Sequence, residues 1–110
     1  MKLYLYILDI YSESPKGLYV EECEVKETPK MYKTVNGSFP DYYYSTVRKD
    51  EIGQIKDNYL FLTEPDFEYA KEKFKLRTER TIANKLKSIE RLKAELKIIN
   101  ESEYKEYEKI

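Results

Sequence analysis

Five residues, Arg77, Arg80, Asn84, Lys87 and Arg91, follow one another at steps of three, four, three and four. That repeat puts side chains on one face of an α-helix. Lys73 extends the row. Arginine forks suit planar, two-pronged recognition of phosphate or carboxylate. A second group, Tyr42, Tyr43 and Tyr44 followed by Arg48 and Lys49, combines wide aromatic contact at low entropy cost with positive charge. A tyrosine ring beside an arginine row can stack on a base. The candidate ligand contacts are therefore Arg77, Arg80, Asn84, Lys87, Arg91, Tyr43 and Arg48. Each group also has a plainer reading. The row is then a solvated basic face paired with Glu79, Glu90 and Glu95, and the tyrosines are a strand with Tyr43 inward and its neighbours outward.

Other chemistry is poorly supplied. The chain has no histidine, which removes Ser–His and Cys–His couples, the usual zinc sites and the one side chain that titrates near neutrality. Gly17, Gly37 and Gly53 stand too far apart for a phosphate loop. Acid pairs such as Glu21-Glu22 and Asp50-Glu51 are ordinary on surfaces. A perturbed carboxylate or lysine could still act as an acid or base, but the expectation is a protein that is not an enzyme, with no catalytic residues, no metal and no cofactor. Cys23, the single cysteine, cannot close an internal disulfide. It fits a reducing cytoplasm and reads as a small buried strand residue rather than a reactive thiol.

The formal net charge is −1, which argues against binding to bulk nucleic acid. Its distribution is uneven. Residues 73–97 carry nine Lys or Arg against three Glu, whereas 98–110 is acidic. The apolar start, Met1 to Tyr11, is about ten residues long and reads as a strand. No stretch reaches the roughly 20 apolar residues that span a bilayer. The expected location is the cytosol, without a membrane partner.

These residues must be positioned by strands and a helix. In the first segment Leu3, Leu5 and Ile7 alternate with Tyr4, Tyr6 and Leu8, so both faces are apolar and both need cover, one of them from a helix. Leu18 to Lys26 is a second strand, with Tyr19, Cys23 and Val25 on one face and Glu22, Glu24 and Lys26 on the other. Met31–Val35 follows, then the Asn36-Gly37 reversal, a strand from Tyr42 to Val47, a single helical turn near Asp50–Gly53 and a last strand from Asn58 to Leu62. Thr63, Pro65 and Asp66 form a helix start. The reading is one α+β domain: an antiparallel β-meander of four to five strands over residues 1–62, a long helix over 63–99 used for self-association, and a short helical or frayed tail over 100–110 containing Tyr104, Tyr107 and Ile110.

Length generates the central expectation. A helix of about 35 residues is roughly 50 Å long, while a compact chain of this size is only about 30–35 Å across. The apolar stripe Ile82, Leu86, Ile89, Leu92, Leu96 and Ile99 has near-heptad spacing and outruns any sheet able to cover it. Each uncovered side chain forgoes roughly 1.5–3 kcal/mol of burial. A second copy is the expected remedy, giving a homodimer or higher oligomer. The rival is a break near Ser88 that folds an α-hairpin. The basic row lies roughly 130° from the stripe on the same helix.

The Tyr-rich first strand, the Val20-Glu21-Glu22-Cys23-Glu24-Val25-Lys26-Glu27-Thr28-Pro29-Lys30-Met31-Tyr32 segment, Val47-Arg48-Lys49-Asp50-Glu51-Ile52-Gly53 and the Lys/Glu-rich helix together resemble small phage and prophage accessory proteins of low-GC Gram-positive bacteria. The resemblance implies an accessory role in a bacterial host, including counter-defence, and brings no residue roles with it. The leading expectation is a protein that sequesters an anionic nucleotide immune signal in a groove between subunits. The alternatives are an inhibitor that grips a host defence protein, such as a CRISPR or other nuclease, and a structural or regulatory phage component.

Overall fold

The computed structural model describes residues 1–35, 37, 39 and 45–106. Two compact units divide the chain, Met1–Lys75 and Leu76–Ile110. The first holds a six-stranded antiparallel sheet, β1 Lys2–Asp9, β2 Gly17–Glu27, β3 Met31–Thr34, β4 Thr46–Arg48, β5 Ile55–Lys56 and β6 Tyr59–Leu62, in the order β4-β3-β2-β1-β6-β5. The helix α1 runs from Phe67 to Glu101. The α+β meander with a long C-terminal helix is the architecture read from the sequence.

β2 explains how this sheet curls. Its first eight residues pair with β1, from Gly17 opposite Asp9 to Glu24 opposite Lys2, while its last three pair with β3. After β4 the chain makes a 3-10 turn at Lys49–Glu51 and lays Ile52 in a parallel bridge beside Phe61 of β6. The Gly53 N–H donates to the Phe61 carbonyl at 2.9 Å. The two ends of the meander thus meet through one short contact. Leu3, Leu5, Ile7, Val25, Tyr32, Val47 and Phe61 come from five strands and bury one shared core, which Phe39 completes edge-on to Phe61 at 5.6 Å.

The other face of β1 and β6 is a second, smaller core. Tyr6, Leu60 and Leu62 pack there with Ala70 and Phe74 from the first two turns of α1. The two-sided pattern of β1 is therefore satisfied as expected, by the curled sheet on one side and the helix start on the other.

Three details depart from the sequence reading. A sixth strand, β5, is only Ile55–Lys56, joined to β6 by the two-residue turn Asp57-Asn58 with Asp57 at φ 55°. The helix begins at Phe67, not at Thr63, because Asp66 is the cap: its carboxylate accepts the Tyr69 N–H at 3.0 Å. The Asp66 N–H donates to the Tyr6 hydroxyl at 2.8 Å, which ties the cap to β1. The helix ends at Glu101, where the Ser102 hydroxyl donates to the Ile98 carbonyl, rather than at residue 99, and it runs past Ser88 without a break, as the leading reading had it. The expected strand over Tyr42–Tyr44 lies outside the described residues, as do Asn36, Tyr107 and Ile110.

Two substitutions separate the contributions at the helix start. Tyr6→Phe keeps the ring and removes the acceptor for Asp66, and should cost about 1 kcal/mol. Phe74→Ala empties a buried site and should cost about 3–5 kcal/mol. Urea denaturation of the three proteins reads both, and equal midpoints for Tyr6→Phe and the parent chain would contradict the anchoring role of the hydroxyl.

Candidate functional site

The basic row lies on α1 within the second unit. Arg77 is half-buried, and Arg80, Asn84, Lys87 and Arg91 are exposed. Fourteen residues of helix separate Arg77 from Arg91, a rise of about 21 Å. The helix backbone is intact beneath them: Thr81 and Ser88 donate their hydroxyls to the Arg77 and Asn84 carbonyls, both at 3.1 Å. Among the described residues Arg80, Lys87 and Arg91 form no ion pair. The plainer reading, in which Glu79, Glu90 and Glu95 neutralise the row, is thus not how these three cations are placed. Unpaired guanidiniums on one face make an extended surface for an anion with several charged oxygens.

Arg48 belongs to the first unit and is engaged by a neighbour there. Arg48 sits on β4 in the first unit, exposed, with its guanidinium 2.7 Å from the Asp50 carboxylate. It borders a shallow depression with Lys30 and Lys49, and Lys49 in turn pairs with Glu27 at 3.3 Å. Tyr43 lies outside the described residues.

A feature missed at the level of sequence is an open cleft of 1010 Å³ at one end of the sheet, between the β1–β2 loop and the β5–β6 turn. Its floor is a row across three adjacent strands, Tyr19, Ile7 and Tyr59, since Ile7 pairs with Tyr19 on one side and Tyr59 on the other. The two tyrosines stand two strand spacings apart, about 10 Å, and both are half-buried. Period-two alternation places each of them on the inner face, but only the pairing register shows that they flank one isoleucine. Lys16 lies over the Tyr19 ring at 5.0 Å.

Asp9 shapes the rim of this cleft. Its carboxylate accepts the Lys16 N–H at 3.1 Å and the Ser12 hydroxyl at 3.0 Å. The Lys16 backbone bond, with the Ser12 hydroxyl second, holds the carboxyl below its ordinary pKa. Cys23 is half-buried on β2, and burial pushes its thiol up, with the nearby Glu24 charge adding to the effect. A raised thiol is a poor nucleophile at neutral pH. Among the described residues no group of three or more His, Cys, Asp or Glu side chains is placed to hold a metal ion, and no helix is long and apolar enough to cross a membrane.

Compared with protein families, curated proteins and solved structures, the chain matches none.

The lowered pKa of Asp9 has a defined sign. The carboxylate is favoured in the folded state, so its contribution to stability is whole above the ordinary carboxylate range, about pH 4, and disappears as the pH falls through the depressed value. Asp9→Asn should be less stable than the parent chain near neutrality, and the difference should shrink on acidification below about pH 4. Thermal unfolding of the two proteins across that range tests it, and a gap that stays constant into acid would refute the assignment.

Proposed function

We propose that the chain is a non-enzymatic binding protein that assembles with copies of itself through α1 and holds an anionic ligand along the basic row of the same helix. The observation that supports this most is the state of Arg80, Lys87 and Arg91: three cations on one face, exposed and without a carboxylate partner among the described residues. The apolar stripe beside them is equally uncovered, with Ile82, Leu86, Ile89, Leu92, Leu96 and Ile99 between 47% and 67% exposed. A phosphate-rich ligand satisfies the first feature, and a second copy satisfies the second.

Within the setting that the phage resemblance implies, the ligand is a nucleotide immune signal. Sequestration in a groove between subunits would keep that signal from a host defence system. Such a role needs binding and no turnover, in keeping with a chain that has no histidine. A second reading, inhibition of a host defence protein by direct contact, draws on the tyrosine-floored cleft, because half-buried aromatic rings are favoured at protein contacts.

The double variant Arg80→Glu, Arg91→Glu reverses charge at exposed positions and should leave helicity by circular dichroism unchanged. Its affinity for cyclic and linear di- and trinucleotides, measured by calorimetry, should fall at least about ten-fold, since charged hydrogen bonds contribute about 1.5–3 kcal/mol each. Parent-like affinity in the variant would remove the basic row as the ligand surface. If the parent chain bound none of these nucleotides and instead brought down one stoichiometric host protein, the second reading would replace the first.

A further inference from the structure

The uncovered stripe of α1 carries more than a need for some partner, because its pattern and charge select an orientation. Positions 82, 85, 89, 92, 96 and 99 step by three, four, three, four and three, a spacing that reads identically in both directions. Five of the six are Ile or Leu, and the exception is Lys85. We propose that this stripe is covered by the same stripe of a second copy running antiparallel, with Ile82 against the partner's Ile99 and Ile89 against the partner's Leu92. The inference rests on the self-association reading above and fixes its geometry.

Lys85 discriminates between orientations. A parallel, in-register pair would set Lys85 against the partner's Lys85 within the seam, where like charges repel in a partly dry environment. The antiparallel register sets Lys85 beside the partner's Leu96, where its methylene stem covers apolar surface and its ammonium reaches water. The two Lys85 residues are then eleven residues of rise apart, about 16 Å.

Charge along the helix points the same way. From Leu76 to Lys93 there are six Lys or Arg against two Glu, and from Ala94 to Glu106 four Glu against two Lys. A parallel pair lays basic against basic and acidic against acidic. An antiparallel pair lays each basic half along the partner's acidic half, which lowers repulsion and steers encounter. Opposed helix dipoles add to the preference.

The area is sufficient. The five apolar side chains of the stripe and the adjoining Leu86, between 47% and 67% exposed, offer on the order of 100 Å² apiece, so two copies bury about 1,200 Å², the lower bound of a standard stable interface. The arrangement also has a consequence for the ligand surface. A two-fold axis perpendicular to both helices keeps the same flank of each on the same side of the pair, so the two basic rows share one side. In a parallel pair they would fall on opposite sides.

Electron paramagnetic resonance distances test the orientation. In a Cys23→Ser background, Glu90→Cys and Glu101→Cys each provide one spin-label site outside the seam and outside the basic row. The antiparallel pair predicts a label separation of about 20 Å at position 90, close to the two-fold, and more than about 30 Å at position 101, twenty-one residues of rise from its counterpart. About 20 Å at both positions would mean a parallel pair and would overturn the orientation while leaving self-association intact. No dipolar coupling at either position, together with a monomeric mass, would overturn this inference and the self-association reading with it.

Discussion

Burial of apolar surface divides α1 into two regimes, and the rest of the molecule follows from that division. Ala70 and Phe74 are buried against Tyr6, Leu60 and Leu62, so the first turns are fixed by packing. From Thr78 to Glu106 every residue is exposed, including the whole Ile82–Ile99 stripe. A helix in globular proteins gains most of its stability from packing an amphipathic face rather than from propensity. Here a face of the right width and period exists, and six large side chains forgo on the order of 1 kcal/mol each while it stays in water. The self-association proposed above would keep the helix and remove this cost.

The first unit shows how a chain with so much charge still folds. Its two cores mix aliphatic side chains with the rings of Tyr6, Tyr32, Phe39, Phe61 and Phe74. β1 contributes to both of its faces, so a single strand links the curled sheet to the helix start. Closure rests on a small contact, the Ile52–Phe61 bridge and the adjacent Gly53 hydrogen bond. With that contact in place Phe61 meets Phe39 on the inner side while Leu60 and Leu62 face the helix. The Tyr6 hydroxyl adds a polar anchor where the chain leaves the sheet and enters α1.

Local pattern carried much of this into the sequence. The alternation in β1, the facing of Tyr19, Cys23 and Val25, and the unbroken helical period after Asp66 are all properties of neighbours within one segment, and the structure has them. What escaped is set by contacts between distant segments. β5 is two residues long and has too few positions to show a period. The cap moved from Thr63 to Asp66 because Tyr6, sixty residues earlier, accepts the Asp66 N–H. Of the candidate site, the helical spacing of Arg77, Arg80, Asn84, Lys87 and Arg91 was legible. That Arg80, Lys87 and Arg91 form no ion pair among the described residues was not, since Glu79, Glu90 and Glu95 look well spaced in the sequence. The tyrosine-floored cleft depends on pairing register, which periodicity does not specify.

The proposed need of the stripe for a second copy sets the context of the proposed ligand row, since an anion held there would be bound by an assembly. Sedimentation equilibrium over roughly 1–100 µM, a range in which interfaces of this size associate, tests that need most directly. The account predicts a weight-average mass rising to at least twice the 13.3 kDa of one chain. A mass that stays at 13.3 kDa throughout would contradict it.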